Sequence, residues 1–201
     1  MGSNPIGDAI FFAFFPGLAR LTPPVSRLPD PSKLLSGERM HFGFSYIGLA
    51  WLAMLIVPNL VWTKFKPLDY DRYAARENRV LLACERVGEV LVSAVALVFS
   101  DFNLRPWTPW SLWLAASFLL MALYEAYWVR YFRSERTMRD FYRSFAGIPV
   151  AGATLPVAAF FLLGVYGRNL PMLVSSVILG VGHIGIHLVH AKESDTSPRN
   201  P

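Results

Sequence analysis

The sequence predicts an all-α, polytopic membrane protein, a bundle of five transmembrane helices. Three observations carry that expectation. Of 201 residues, 54% are hydrophobic and only 16% charged, whereas soluble domains carry nearer a quarter charged residues. The apolar residues gather into five runs, each close to the roughly 20 residues that cross a hydrocarbon core. The basic residues fall between those runs. Lipid offers no partner to an open strand edge, so each run is read as a helix. A β-barrel would need alternating segments about half as long. The net charge of +5 is read as an orientation signal, and nucleic acid is not an expected partner. The single cysteine, Cys84, falls inside a run, which excludes an internal disulfide and a Cys-based zinc cluster.

Residues 1–39 differ from the rest. The stretch Ile10–Phe15 is apolar but breaks at Pro16-Gly17, too short to span, and Pro23, Pro24, Pro29 and Pro31 follow. Asp8 stands where a signal peptide carries a basic n-region. These residues are read as a Pro-rich, disordered extension, with translation from Met40 as an alternative. Residues 40–192 hold the bundle, and 193–201 are read as a disordered tail. The runs are Phe44–Trp62, Val80–Phe99, Trp110–Val129, Phe145–Tyr166 and Met172–His190. The fourth contains a small-residue stripe, Gly147, Ala151, Thr154 and Ala158, suited to close helix packing.

Lys64, Lys66, Arg72, Arg76 and Arg79 follow the first run, and Arg130, Arg133, Arg136, Arg139 and Arg143 follow the third. The other two connections hold Arg105 and Arg168 alone. Basic loops stay in the cytoplasm, which places the N-terminus outside and the C-terminus inside a bacterial inner (plasma) membrane. Within the first basic loop, Asp69-Tyr70-Asp71-Arg72-Tyr73 could bind a headgroup or phosphate, or be a solvated loop.

Three of four histidines, His183, His187 and His190, occupy one helical stripe in Gly182–His190. Ionisable groups at such depth face a bundle interior or a wet cavity and are functional candidates. Measured from the basic loops at helical rise, Glu85, Glu125 and His187 lie about 7–9 Å deep, and Glu89 and His183 about 13–15 Å. Asn59 falls in the same layer. The outer halves of the helices hold almost nothing ionisable. Glu85, Glu89, Glu125, His183 and His187 are therefore the candidate catalytic groups. Carboxylates gathered in a low dielectric cannot all stay ionised, which suits one of them to act as an acid with histidine as base or relay. Asn59, Arg86, Tyr124, Trp128 and His190 are the candidate ligand contacts. In the bland reading, Glu85 and Arg86 snorkel to water and His190 is an interface residue. Histidines at i and i+4 are also a metal-ligand spacing, and with the glutamates would suit zinc or iron. Ile184, Gly185 and Ile186 replace the glutamate of a zincin motif, and four histidines are too few for a multi-histidine di-iron oxygenase. The sequence specifies neither a metal nor a cofactor.

The segments Pro58–Lys64, Glu85–Glu89 and Gly182–His187 resemble those of a family of small bacterial five-helix membrane proteins, over residues 44–191. That family has no assigned activity, so the resemblance implies fold and location. In site chemistry the chain is similar to the emopamil-binding sterol isomerases, five-helix bundles whose His and Glu side chains shuttle a proton across a double bond. The order and spacing of motifs differ from theirs, so the likeness is one of chemistry. The expected function is acid/base chemistry on, or binding of, a lipid-like or isoprenoid ligand in a Glu/His pocket of the cytoplasmic half. The alternatives are a small transporter or proton-coupled carrier using the same groups as a relay, or a binding or scaffold protein without chemistry. Membrane lipids are the expected partners, and a second copy of the chain would be needed for an inverted-repeat carrier.

Overall fold

The computed structural model describes residues 40–67, 70 and 78–196, all belonging to one compact unit, Met40–Pro201. The extension 1–39, residues 197–201, and all of Asp69–Tyr73 except Tyr70 lie outside the described residues. Among the described residues the protein is helical, with two isolated bridges and no strand. The helices are α1 (Tyr46–Lys64), α2 (Arg79–Val98), α3 (Leu112–Phe132), α4 (Met138–Tyr142), α5 (Ala151–Gly167) and α6 (Leu170–Thr196).

Local chemistry fixes these boundaries. Ser45 caps α1 by accepting from the Gly48 amide at 2.8 Å, and Asn78 caps α2 by accepting from Val80. The hairpin between α5 and α6 turns at Arg168, whose φ of 51° ends α5, and Asn169 accepts from the Met172 amide at 2.9 Å to start α6.

Among the described residues three helices are long and apolar enough to cross a membrane: α1, α3 with its preceding turn, and α6. The two other expected spans differ for separate reasons. α2 has 20 residues but carries Glu85, Arg86 and Glu89 in its interior. α5 has only 17, because Phe145–Val150 is not helical despite its apolar character. Phe145 and Ile148 exchange backbone hydrogen bonds at 3.1 and 2.9 Å across a tight turn, with positive φ at Ala146, Gly147 and Val150. Gly147 supplies that turn rather than a helix stripe. Thr154 and Ala158, expected to pack closely, are partly exposed, whereas Gly152 is the close contact, its Cα lying against the Tyr127 ring. At the other end, α6 runs on to Thr196, through the first part of the expected tail. α4 is an addition. Thr137 and Asp140 cap each other reciprocally and wind one turn that delivers Phe141 and Tyr142 to the interior.

α5 is the buried centre, packed on α3 and α6, while α2 lies along α6. The two run antiparallel at backbone contact. A Cβ at Gly182 would strike the Glu85 nitrogen and Leu81 carbonyl, and one at Gly88 would strike the Leu179 backbone. The outward faces are apolar: Ile56 and Leu60 on α1, Val87 and Val90 on α2, Phe118 and Leu119 on α3, and Val177 and Val181 on α6 are all exposed. Exposed apolar residues on four helices are what lipid would cover.

Candidate functional site

The close approach of α2 and α6 positions the polar groups. Gly182 lets the backbones touch beside Glu85, and the next residue, His183, meets that glutamate. His183 Nδ1 and Glu85 Oε1 are 2.5 Å apart, with both side chains largely buried at 24% and 14% exposure. With Glu85 ionised, the bond holds the imidazole proton on Nδ1 and leaves the Nε2 lone pair as the basic site. His187, one turn on, sets its ring centroid 4.5 Å from that of His183 with the two planes tilted by 48°, and contacts Phe141 and Tyr142 of α4.

These groups border a cavity of about 370 Å³, a volume typical of small-molecule sites. Glu85, Arg86, Glu89, His183 and His187 line it together with Asn59, Trp62, Lys66, Tyr70, Trp128 and Phe141. Lys66 extends its ammonium over the Trp62 and Tyr70 rings, 5.3 and 5.6 Å from their centroids. Arg86 reaches Glu89 at 3.3 Å, an i,i+3 pair along α2, and both side chains are exposed, at 71% and 45%.

Seven of the ten candidates, Asn59, Glu85, Arg86, Glu89, Trp128, His183 and His187, thus border one cavity. The remaining three do not. Tyr124 stands behind the wall, where its hydroxyl accepts from Asn59 Nδ2 at 2.9 Å. Glu125 is not among the lining groups, and its Oε1 is buried without a hydrogen-bond partner among the described residues. His190 is not among the groups that line the cavity. It is buried, 2.9 Å from the Tyr142 hydroxyl.

The expected layering is also displaced by a turn. Depth counted from Lys192 pairs His183 with Glu89, whereas the bonded partner is Glu85. Contacts of Leu81 with Gly185, Glu85 with Gly182 and Leu179 with Gly88 put Arg79 level with about Leu188, one turn short of Lys192. α6 outruns α2, so its basic residue was the wrong ruler. Sequence reasoning missed Trp62, Lys66, Phe141 and Gly152 in the lining, and had Tyr70 only as part of the Asp69–Tyr73 loop that could bind a headgroup or phosphate. The i,i+4 spacing of Trp62 and Lys66, and the Thr137-x-x-Asp140 cap ahead of Phe141, were the available signals. Among the described residues no group of three or more His, Cys, Asp or Glu side chains is disposed to hold a metal.

A second histidine–carboxylate pair went unforeseen. His41 Nδ1 lies 2.8 Å from Asp101 Oδ1, the His41 amide donates to Oδ2 at 3.0 Å, and Arg105 stands 3.7 Å away. It closes the opposite end of α2. The chain matches no family model, and neither curated proteins nor solved structures include one similar to it.

Proposed function

We propose that the protein is a five-span bundle of the bacterial inner membrane, and that its Glu85–His183 pair carries out acid/base chemistry on a lipid-like or isoprenoid ligand. α2 supports the reading as a fourth span, because its charges turn toward the cavity while Val80, Val87, Val90 and Val98 are exposed. α5, enclosed by its neighbours, is the fifth. Lys64, Lys66, Arg79, Arg130, Arg133, Arg136, Arg139, Arg143 and Lys192 belong to the chain ends nearer the cavity, which orients that end to the cytoplasm and the N-terminal end of α1 outward.

The observation that carries the chemistry is a hydrogen-bonded carboxylate–imidazole pair on the wall of a ligand-sized cavity. In this reading His183 Nε2 takes a proton from a ligand carbon, the imidazolium is held by Glu85, and the proton returns at another carbon. His187 is the second base and Asn59, held by Tyr124, orients the ligand.

Deuterium tests it. The purified chain, incubated in heavy water with extracted bacterial lipids, is expected to place non-exchangeable deuterium in one lipid class, read by mass spectrometry. Glu85→Gln and His183→Gln should abolish the incorporation. If the wild-type chain incorporates none but dissipates a pH gradient in sealed vesicles, the carrier replaces the enzyme.

A further inference from the structure

A second cavity, of about 340 Å³, adjoins the first and shares two residues with it, Asn59 and Glu89. Its other walls are Leu55, Ile56, Leu60 and Thr63 of α1, Val92 and Ser93 of α2, and Leu179 of α6. Its origin is the way α1 and α2 separate. At one end the two helices touch, since a Cβ on Gly48 would strike the Ala96 carbonyl. Two to three turns along, side chains of both line open space instead, and Ile56 and Leu60 on the outer lip are 47% and 61% exposed. The groove covers residues 55–63 of α1, about 12 Å at helical rise.

We infer that the two cavities form one bipartite site for a single-tailed lipid with a small uncharged head, the head lying among Glu85, His183 and His187 and the tail in the groove between α1 and α2. The inference rests on the lipid-like ligand proposed above and names its class. A largely apolar groove, open toward the surface that lipid would cover and sharing two wall residues with a polar cavity, matches an amphiphile along its length. A water-soluble ligand would have no use for the groove, and a hydrocarbon none for the head cavity. The charge balance selects the head. Glu85 and Glu89 offset Lys66 and Arg86, so no net charge favours an ionic headgroup, while imidazole and amide groups favour a hydroxyl or carbonyl. Entry is lateral, past Ile56 and Leu60, so the ligand need not leave the bilayer.

The probe is hexadecanol carrying a mid-chain diazirine, photolysed with the full-length chain in detergent and mapped by peptide mass spectrometry. Label is expected on residues 55–63 and 92–93. Ser93→Trp, which fills the groove, should lower that label at least about five-fold, equivalent to about 1 kcal/mol. Leu60→Trp, on an exposed lip where folding is not at stake, should do the same. Label spread equally over the Phe118–Leu119 face of α3, or groove label that survives both substitutions, overturns the tail site. Stronger groove labelling by the matching hexadecyl phosphate probe overturns the head. Glu85→Gln separates this inference from the chemistry. Groove label retained while deuterium incorporation is unaffected by Glu85→Gln removes the acid/base reading alone. Incorporation lost in Glu85→Gln with label scattered removes the tail site alone.

Discussion

The two histidine–carboxylate pairs of this protein are nearly alike in length and quite different in surroundings. At the C-terminal end of α2, Asp101 is 5% exposed, takes both a ring nitrogen and the backbone amide of His41, and has Arg105 beside it, while His41 itself is 69% exposed. Both carboxylate oxygens are engaged, and the bonds tie the chain entering α1 to the turn leaving α2. In the second turn of α2, Glu85 and His183 are both mostly buried and both border open space. The first pair is a clasp, the second a pair with room for a third participant. Pair chemistry alone therefore says little about function, and the adjoining cavity is what separates the two.

The backbone contact beneath the cavity pair offers the largest effect. Gly182→Ala puts a methyl group against the backbone of Glu85 and Leu81, where no flexible side chain can yield. A loss of about 3 kcal/mol in detergent unfolding is expected, at the upper end of overpacking costs, with the cavity pair pulled apart. An unchanged midpoint would mean that α2 and α6 are not in backbone contact. Next comes the clasp. Asp101→Ala leaves the His41 amide and ring without their acceptor and should cost about 2 kcal/mol, without altering deuterium incorporation or probe labelling. A change in either would break the distinction between clasp and site.

The sequence made one side of this comparison visible and hid the other. Long apolar runs announce α1, α3 and α6, because a span leaves little freedom in composition. The convergence of Glu85, Glu89, His183 and His187 was legible because ionisable residues in such runs are rare. Their register was not, since helix overhang depends on loop geometry and the Lys192 ruler ignored it. Phe145–Val150 read as helix because apolar character outweighed Gly147 and Pro149, yet the chain turns there. The clasp escaped notice for a different reason. His41 and Asp101 are 60 residues apart, one in the chain before α1 and the other in a short 3-10 turn after α2, so no periodicity connects them.

The cavity pair itself gives the third effect. In an unfolding cycle, Glu85→Gln and His183→Gln should couple by about 1–2 kcal/mol, as contacting groups in a network do. Glu89→Gln with His183→Gln should be close to additive, because Glu89 is bonded to Arg86 instead. Coupling that follows Glu89 rather than Glu85 would restore the register counted from Lys192.

The smallest effect decides where the mouth of the site lies. Arg86 and Glu89 are both exposed in the protein alone, at 71% and 45%, and two environments fit that exposure. If the cavity mouth admits water, the pair behaves as a surface i,i+3 pair. An Arg86→Gln/Glu89→Gln cycle should then couple by about 0.2–0.5 kcal/mol, and salt should weaken it. If lipid covers this face, water is absent, screening fails, and removing one partner strands a charge in low dielectric at several times that cost. The cycle is therefore run in bilayer discs at low and high salt. A small, salt-sensitive coupling is expected, because Arg86 and Glu89 border the same cavity as Lys66, near the basic end of α1. A salt-insensitive coupling above about 1 kcal/mol would instead place the pair in lipid. The headgroup cavity would then be sealed from water, and among the described residues the groove between α1 and α2 would be the entrance for a ligand.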